Sequence, residues 1–100
     1  IYRMRIFEDE NEKMNLSLPQ VDGEILSISQ FTLYADCKKG NRPSFSLAGE
    51  RHHAEKMYLY FNEYMRSLGV KVDEGIFGAD MKVRLLNDGP VTIILDSSEW

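Results

Sequence analysis

The chain has 100 residues, 43% of them hydrophobic and 28% charged, which predicts one globular domain over residues 1–100 without a second core. Its formal net charge of −4 excludes a protein that coats nucleic acid through the phosphates, because that mode needs a basic face, but allows one that grips an RNA end. No apolar run approaches the ~20 residues of a membrane span, and a single cysteine leaves no disulfide framework, so we expect a cytoplasmic protein without a membrane partner.

The first third of the chain contains several strand candidates. Ile1–Phe7 is apolar from its first residue, which is not Met, so we expect the numbered chain to begin inside a domain. Residues 14–18 alternate apolar and polar side chains, and Pro19 would end that strand. After the turn signal Asp22-Gly23, residues 24–35 form the strongest strand candidate.

The middle of the chain predicts one loop and one helix. Residues 36–46 contain glycine and proline and are typical of a loop. Residues 50–68 carry apolar side chains at three- and four-residue spacings, which predicts an amphipathic helix with one apolar stripe. Gly69 follows where a left-handed cap commonly ends a helix. The predicted stripe consists of Ala54, Met57, Tyr58, Phe61, Met65 and Leu68.

The last third predicts strands joined by turns. A strand begins at residues 70–72, and residues 81–86 and 91–95 form a predicted pair of strands. Residues 87–90, Asn-Asp-Gly-Pro, favour a turn with positive φ between the two. A strand-rich chain with one main helix predicts an α/β (α+β) domain, in which the helix covers one side of a mostly antiparallel sheet.

The usual hydrolytic and metal-binding side chains are not grouped in this sequence. His52 and His53 are adjacent at the predicted start of the helix, so they point in different directions, and no Cys or carboxylate stands at a metal-ligand spacing from them. Cys37 lacks a partner base, and neither a phosphate-binding loop nor a dinucleotide fingerprint is present. We therefore expect no metal and no cofactor.

Two polar interruptions of strand-like runs remain as candidates for a ligand site. Ser29–Thr32 could present free backbone N–H groups to an oxyanion at a strand end, or could be a half-buried strand that tolerates hydroxyls. Gly89-Pro90 lies between two predicted strands, where proline cannot donate a ladder hydrogen bond, and a plain hairpin turn is its alternative. The basic run Lys38–Arg42 could contact a few phosphates or be a solvated loop.

Four segments, in the same order, resemble the D-aminoacyl-tRNA deacylases, also called D-tyrosyl-tRNA deacylases. Ser29–Leu33 and Asn87–Thr92 resemble the two signature motifs of that family. Lys39–Phe45 is similar to its basic loop, and Gly75–Met81 to its Gly-Phe-Gly-Ala segment. The resemblance covers essentially all 100 residues, and the family's opening strands and early helix have no counterpart, so we expect the chain to lack the family's N-terminal third.

The resemblance implies a layered fold with a mostly antiparallel, barrel-like core and one main helix, working as a homodimer. It implies a hydrolase that cleaves the ester between a D-amino acid and the 3′-terminal adenosine of tRNA, and that also removes glycine mischarged on tRNA. In that family a cis glycine-proline peptide reaches into the partner subunit's pocket and holds the substrate's amino group. We therefore expect chiral proofreading in translation quality control, with tRNA and not DNA as the partner.

The same resemblance implies roles for individual residues. The catalytic segment would be Ser29, Gln30, Phe31 and Thr32. Substrate binding and rejection of L-amino acids are implied for Gly89, Pro90, Phe77, Ala79 and Met81. Contact with tRNA is implied for Lys38, Lys39 and Arg42. The Thr32 hydroxyl is a candidate nucleophile without an evident base, and water assisted by the 2′-hydroxyl of the terminal ribose is the preferred alternative.

Two other interpretations stay open. A catalytically silent fragment of the same fold would bind a nucleotide or an RNA end. The related editing domain fused to some archaeal threonyl-tRNA synthetases would carry synthetase domains downstream, and here the sequence stops soon after Ser97. Deacylation of D-Tyr-tRNA discriminates the enzyme from the silent fragment.

Overall fold

A computed structural model describes all residues from 1 to 100. The chain forms four short strands and one long helix: β1 is Phe7–Glu8, β2 is Met14–Leu16, β3 is Ile25–Ser27, α1 is Arg51–Ser67 and β4 is Val72–Glu74. Short 3₁₀ helices cover Leu18–Val21, Phe31–Tyr34 and Ser97–Glu99. The predicted α+β class with one main helix is confirmed.

The strands form two separate two-stranded sheets, and not the mostly antiparallel, barrel-like sheet that we expected. β1 and β2 pair antiparallel, with Phe7 opposite Leu16. β3 and β4 pair in parallel, with Ile25 opposite Val72. Parallel neighbours need a long crossover connection, and the segment that contains α1 supplies it. The antiparallel expectation is therefore wrong for this pair.

α1 confirms the helix predicted over residues 50–68. It begins after Glu50, whose carboxylate accepts hydrogen bonds from the backbone N–H groups of His52 and His53 at 3.0 and 2.9 Å. These bonds satisfy two of the four N–H groups that the start of a helix leaves without intrahelical partners. They also lower the pKa of the Glu50 carboxyl below its ordinary value, because both stabilise the charged form.

We expect Glu50→Gln to remove an acid-sensitive part of the protein's stability. Because folding lowers the pKa of Glu50, its carboxylate contributes fully above the ordinary value of 4.5, and the contribution is lost as the pH falls through the folded pKa. Thermal unfolding should therefore show a smaller acid-induced drop in Tm for this variant than for the native protein. Glu55→Gln, a change within α1 at a carboxylate outside the cap, should keep the native pH dependence. Identical curves for all three proteins would contradict the capping role.

The end of α1 is confirmed at the predicted glycine. Gly69 has a φ of 89°, a conformation that other residues adopt only with strain. Its N–H donates to the carbonyl of Arg66, and the N–H of Val70 donates to the carbonyl of Met65. This pair of bonds is the Schellman arrangement, which turns the chain sharply out of the helix toward β4.

The hydrophobic core lies between α1, β4 and the first 3₁₀ helix. Its buried members are Leu18, Met65, Val70 and Val72, and around them pack Tyr2, Phe7, Ile25, Phe61 and Leu68. Three of the six residues of the predicted stripe, Phe61, Met65 and Leu68, belong to this group, whereas Met57 is 51% exposed, so the stripe is confirmed only in its C-terminal half. No helix of the chain combines the length and the apolarity that crossing a bilayer requires.

A polar contact fixes α1 against β4. Asn62 is fully buried, and its Nδ2 donates to the Oε2 of Glu74 at 2.8 Å. Arg66 reaches the same oxygen at 3.3 Å and donates to the carbonyl of Val72 at 2.8 Å. Of the buried side-chain polar atoms, only the Oδ1 of Asn62 has no partner. The contact therefore satisfies most of the polar groups that the helix buries here.

The strand predicted over residues 24–35 is much shorter than expected. It is confined to Ile25–Ser27, and residues 31–34 form a 3₁₀ helix. β4 ends at Glu74, so no ladder partner extends beyond Ser27. The half-buried strand that we considered for Ser29–Thr32 is therefore not formed. The segment instead leaves the sheet.

Other predicted strands are reduced or absent. Residues 2–3 form a turn, and of residues 1–7 only Phe7 enters a strand. Residues 81–86 and 91–95 form no strand. Apart from the half-buried Met81, the apolar side chains of the last two segments are exposed, Leu86 to 91% and Ile94 to 88%. A strand exists through hydrogen bonds to a neighbour, and no segment of these 100 residues pairs with either one.

The peptide between Gly89 and Pro90 is trans, because the chain contains no cis peptide bond. The expectation of a cis bond is therefore wrong for this structure. A trans X–Pro bond is favoured by about 0.5–1 kcal/mol unless tertiary contacts select the cis form. This turn is exposed, and a Cβ on Gly89 would meet only the nitrogen of Val91, at 3.9 Å. The predicted positive φ is confirmed, since Gly89 has a φ of 115°.

Candidate functional site

Two segments diverge from the parallel β3–β4 pair and enclose a cavity of about 250 Å³, which we call the first cavity. One segment, residues 28–31, continues β3, and the other, residues 77–83, follows β4. The cavity is lined by six residues that the resemblance implies for the site, namely Ser29, Gln30, Phe31, Phe77, Ala79 and Met81. The fold thus brings together two motifs that lie far apart in the sequence.

The polar groups that continue β3 are largely main chain. The N–H groups of Ser29 and Gln30 donate no hydrogen bond to any group of the chain. The two residues line the first cavity just after β3 has lost its ladder partner. Unpaired N–H groups at a strand end can stabilise a carbonyl oxygen on which negative charge develops. This arrangement is the one that we considered for the segment from its sequence.

Two glycines lie close to side chains that line the cavities. A Cβ on Gly75 would collide with the sulfur of Met81, so Met81 lies directly against the backbone there. Gly78 has a φ of 75°, and a Cβ on it would come within 2.9 Å of the Arg51 guanidinium. Any larger residue at Gly78 would be strained and would displace Arg51.

A second cavity, of about 330 Å³, lies beside the first and shares Phe31, Phe77 and Gly78 with it. Phe45 also lines it and meets Phe31 edge to face, with ring centroids 5.1 Å apart. Arg51 lines the same cavity and forms no ion pair. Aromatic faces beside a free guanidinium suit a planar base that carries an anionic group.

Arg51 was not predicted from the sequence. It is the first residue of α1, where the helix dipole disfavours a positive charge. That local conflict is the sequence signal that could have singled it out. His52 and His53 lie at the same helix end but line neither cavity.

The predicted basic loop is anchored next to the second cavity. Asp36 and Ser44 exchange two backbone hydrogen bonds, of 2.7 and 2.9 Å, that close the loop at its base. Phe45 follows this base directly and packs against Phe31. The loop carries three exposed basic residues, Lys38, Lys39 and Arg42, and none of them forms an ion pair.

Of the residues expected for catalysis or substrate binding, three line neither cavity: Thr32, Gly89 and Pro90. The three basic residues expected to contact tRNA also lie outside both cavities. The Oγ1 of Thr32 accepts a hydrogen bond from the Nε2 of Gln30 at 2.6 Å. An amide nitrogen cannot take up a proton from the hydroxyl, so this contact supplies no base. Gly89 and Pro90 lie in the exposed turn described above.

Charged side chains contribute little to the first cavity. Asp80 lines it and pairs with Lys82 at 3.1 Å, with both side chains about nine-tenths exposed, so the pair interacts weakly. No three His, Cys, Asp or Glu side chains are placed together to hold a metal ion. The arrangement can hold and polarise a carbonyl group through main-chain donors. Its apolar wall can exclude ligands with a bulky group on that side.

Comparison with known proteins finds a family model and several relatives that all carry deacylase names. A family model described as D-Tyr-tRNA(Tyr) deacylase matches residues 1–96. A D-aminoacyl-tRNA deacylase of Bifidobacterium animalis subsp. lactis (strain AD011) is 61% identical over 99 residues, which are 99% of this chain and 62% of that protein. A protein of the same name from Halothermothrix orenii is 54% identical over 99 residues, which are 99% of this chain and 66% of that protein. The chain thus spans less than two thirds of the length of these relatives.

A solved structure agrees with the sequence comparison. The chain superposes on the c-Myc DNA Unwinding Element Binding Protein with a TM-score of 0.82 and 44% sequence identity. The match covers 97% of this chain and 66% of that one. The family model extends over nearly every residue, and the relatives carry the same name at high identity. The chain therefore belongs to the D-Tyr-tRNA(Tyr) deacylase family.

Proposed function

We propose that the protein carrying this chain hydrolyses the ester bond of D-aminoacyl-tRNA and releases the free D-amino acid and tRNA. The observation that carries the proposal is the first cavity, which is lined by Ser29 and Gln30, whose N–H groups have no partner in the chain, and by Phe77, Ala79 and Met81. Membership in the family supports the substrate class.

In the proposed reaction the ester carbonyl lies in the first cavity and its oxygen accepts hydrogen bonds from the N–H groups of Ser29 and Gln30. These bonds strengthen as the carbonyl oxygen becomes an oxyanion, and one such donor commonly contributes about 10²–10³-fold in rate. Water attacks the carbonyl carbon, assisted by the 2′-hydroxyl of the terminal ribose. The proposal gives the Thr32 hydroxyl no nucleophilic role, because its neighbour Gln30 is an amide and cannot act as a base.

The terminal adenosine of the tRNA occupies the second cavity in this proposal. Phe31, Phe45 and Phe77 supply apolar faces there, and stacking on an aromatic side chain contributes about 1–3 kcal/mol per base. Arg51, which has no carboxylate partner, is placed to receive the adjoining phosphate. The exposed loop with Lys38, Lys39 and Arg42 meets phosphates further along the acceptor end.

We also propose that the site accepts D-aminoacyl esters and rejects L-aminoacyl esters. This selection does not require a cis peptide bond between Gly89 and Pro90. Main chain placed against the α-carbon leaves room for hydrogen but not for an L side chain, so glycine mischarged on tRNA would also be accepted. The Gly89-Pro90 turn is exposed and makes no contact with either cavity of its own chain. We therefore assign its carbonyls to the pocket of a second copy in a cytoplasmic homodimer, as the resemblance implies.

The direct test measures hydrolysis of D-Tyr-tRNA and L-Tyr-tRNA by the intact protein at low and at physiological salt. We expect cleavage of the D ester alone, with a KM that rises with salt because basic side chains contact phosphates. The second cavity with Arg51 also fits a catalytically silent protein that binds RNA ends. Binding of tRNA with no hydrolysis of either ester would favour that second function and reject the deacylase.

Thr32→Val should retain most of the deacylation activity. The substitution removes the hydroxyl and keeps the shape of the side chain, and the hydrogen bond from Gln30 is its only loss. We expect kcat to stay within about tenfold of the native value, whereas loss of a covalent nucleophile costs several orders of magnitude. Single-turnover hydrolysis of D-Tyr-tRNA measures the difference. A fall of several orders of magnitude with unchanged tRNA binding would make Thr32 the nucleophile.

Pro90→Ala should reduce the preference for D over L substrates. Proline fixes φ near −65°, whereas alanine allows a wider range of φ. The neighbouring carbonyls are therefore held less firmly in place. We expect the ratio of kcat/KM for D-Tyr-tRNA and L-Tyr-tRNA to fall about tenfold or more, since the discrimination rests on fixed main chain. Pro19→Ala, in the first 3₁₀ helix, is the matched control and should leave the ratio unchanged. An unaltered ratio for Pro90→Ala would remove the turn from the selection mechanism.

A further inference from the structure

The hydroxyl of Tyr58 lies where the two segments of the first cavity separate. It donates a hydrogen bond to the carbonyl of Ser27 at 2.6 Å and accepts one from the N–H of Gly75 at 3.2 Å. Ser27 is the last residue of β3, and Gly75 is the first residue after β4. One hydroxyl on α1 thus joins the ends of both strands just before the chain enters the cavity walls.

The backbone by itself holds this junction weakly. β3 and β4 are three residues long each, and beyond their ladder only the N–H of Gly75 reaches the carbonyl of Ser27, at 3.3 Å. Both bonds of the Tyr58 hydroxyl are shorter than that one. The hydroxyl therefore strengthens the last cross-link between segments that share no ladder further on.

The ring of Tyr58 continues the contact into the cavity wall. Its centroid lies 6.0 Å from that of Phe77, with the planes tilted by 39°. Phe77 lines both cavities, so a shift of Tyr58 is passed directly to the surface proposed to meet the substrate. Tyr58 itself lines neither cavity.

We propose that Tyr58 is a positioning residue, whose hydroxyl fixes the separation of Ser29–Phe31 from Phe77–Met81 and so sets the geometry of the first cavity. It acts through Ser27 and Gly75 and touches no substrate. The kinetic part of this inference rests on the proposed deacylase function, and the structural part does not. The effect is expected on the chemical step, because a misplacement of about 1 Å can cost 100-fold in rate.

The kinetic test compares Tyr58→Phe with Tyr60→Phe in the intact protein. Tyr60 lies on the same helix, is 63% exposed and makes no side-chain hydrogen bond, so it is a matched control. We expect Tyr58→Phe to lower kcat for D-Tyr-tRNA by about 10- to 100-fold, with KM changed less than threefold because the second cavity and the basic loop remain. Tyr60→Phe should keep native constants. Native kcat in Tyr58→Phe would overturn the proposal.

A second measurement works without any catalysis. Hydrogen exchange of the Gly75 amide, followed by nuclear magnetic resonance, should be at least tenfold faster in Tyr58→Phe than in the native protein, and amides in the middle of α1 should be unchanged. Native exchange at Gly75 would overturn the structural inference. If the native protein cleaves no D-Tyr-tRNA, the proposed function fails while this measurement still decides the role of the hydroxyl.

General destabilisation is separated from positioning in two ways. The kcat is referred to the folded fraction, measured by circular dichroism, so a loss that only follows unfolding would contradict a positioning role. Replacement of Tyr58 by 4-aminophenylalanine keeps the ring and returns a donor at the same place. We expect it to restore most of the kcat lost in Tyr58→Phe. Failure to restore kcat in a folded protein would also reject the proposal.

Discussion

Phe77→Ala should lower kcat/KM for D-Tyr-tRNA by about 100-fold, the largest effect that we expect from a single side chain near the proposed site. Phe77 is shared by both cavities and packs against Tyr58. Its removal takes away a stacking surface for the terminal base, worth about 1–3 kcal/mol, and also loosens the wall that faces the ester. Steady-state hydrolysis of D-Tyr-tRNA gives the ratio.

Neighbouring substitutions control this result. Ile76 is 73% exposed and lines neither cavity, so Ile76→Ala should keep kcat/KM within about twofold of native, as surface changes usually do. Phe77→Leu keeps apolar volume without an aromatic face, and it should recover part of the chemical step but not the affinity for the tRNA end. Native kcat/KM in Phe77→Ala would show that substrate binds elsewhere.

The helix was predicted well because its determinants are local. The three- and four-residue spacing of apolar residues and the glycine at its end are all read within one segment, and Gly69 caps α1 as predicted. The parallel pairing of β3 and β4 was missed, although a strand, a long helix and another strand in sequence order are typical of it. The apolar pattern of residues 91–95 is typical of a strand that is buried beside a partner strand. No segment of these 100 residues pairs with it.

The resemblance implied site roles for Ser29–Phe31 and for Phe77, Ala79 and Met81, and these residues line one cavity, while their roles stay predictions. The side chains that support this cavity were not predicted. Tyr58 was assigned only to an apolar stripe, although a tyrosine on a half-buried face needs a partner for its hydroxyl. Which carbonyl that would be depends on the crossing of three elements, and no local pattern contains that information. Arg51 was missed although its positive charge at the start of α1 was a local signal, and only its closeness to Gly78 across the fold could not be read from the sequence.

The second large effect concerns stability. Asn62→Asp should lower the free energy of unfolding by at least about 2 kcal/mol at neutral pH, because a hydrogen bond to a charged group contributes about 1.5–3 kcal/mol and the new carboxylate would also repel Glu74. Asn62 is fully buried and donates to Glu74 at 2.8 Å. Arg66 offsets only part of this, since its guanidinium is already shared among Glu63, the carbonyl of Val72 and Glu74 itself. Urea unfolding measures the loss.

The pH dependence distinguishes this mechanism from a simple packing defect. Burial and the neighbouring Glu74 would raise the pKa of the carboxyl introduced at position 62 above its unfolded value, so the folded state binds the proton more tightly and the variant regains stability as the pH falls. Glu74→Gln in the Asn62→Asp background should restore part of the loss at neutral pH, since it removes the like charge. Asn11→Asp, in an exposed loop, should cost less than about 0.5 kcal/mol at any pH. A loss in Asn62→Asp that neither acid nor the second substitution relieves would mean that shape, and not charge, joins α1 to β4.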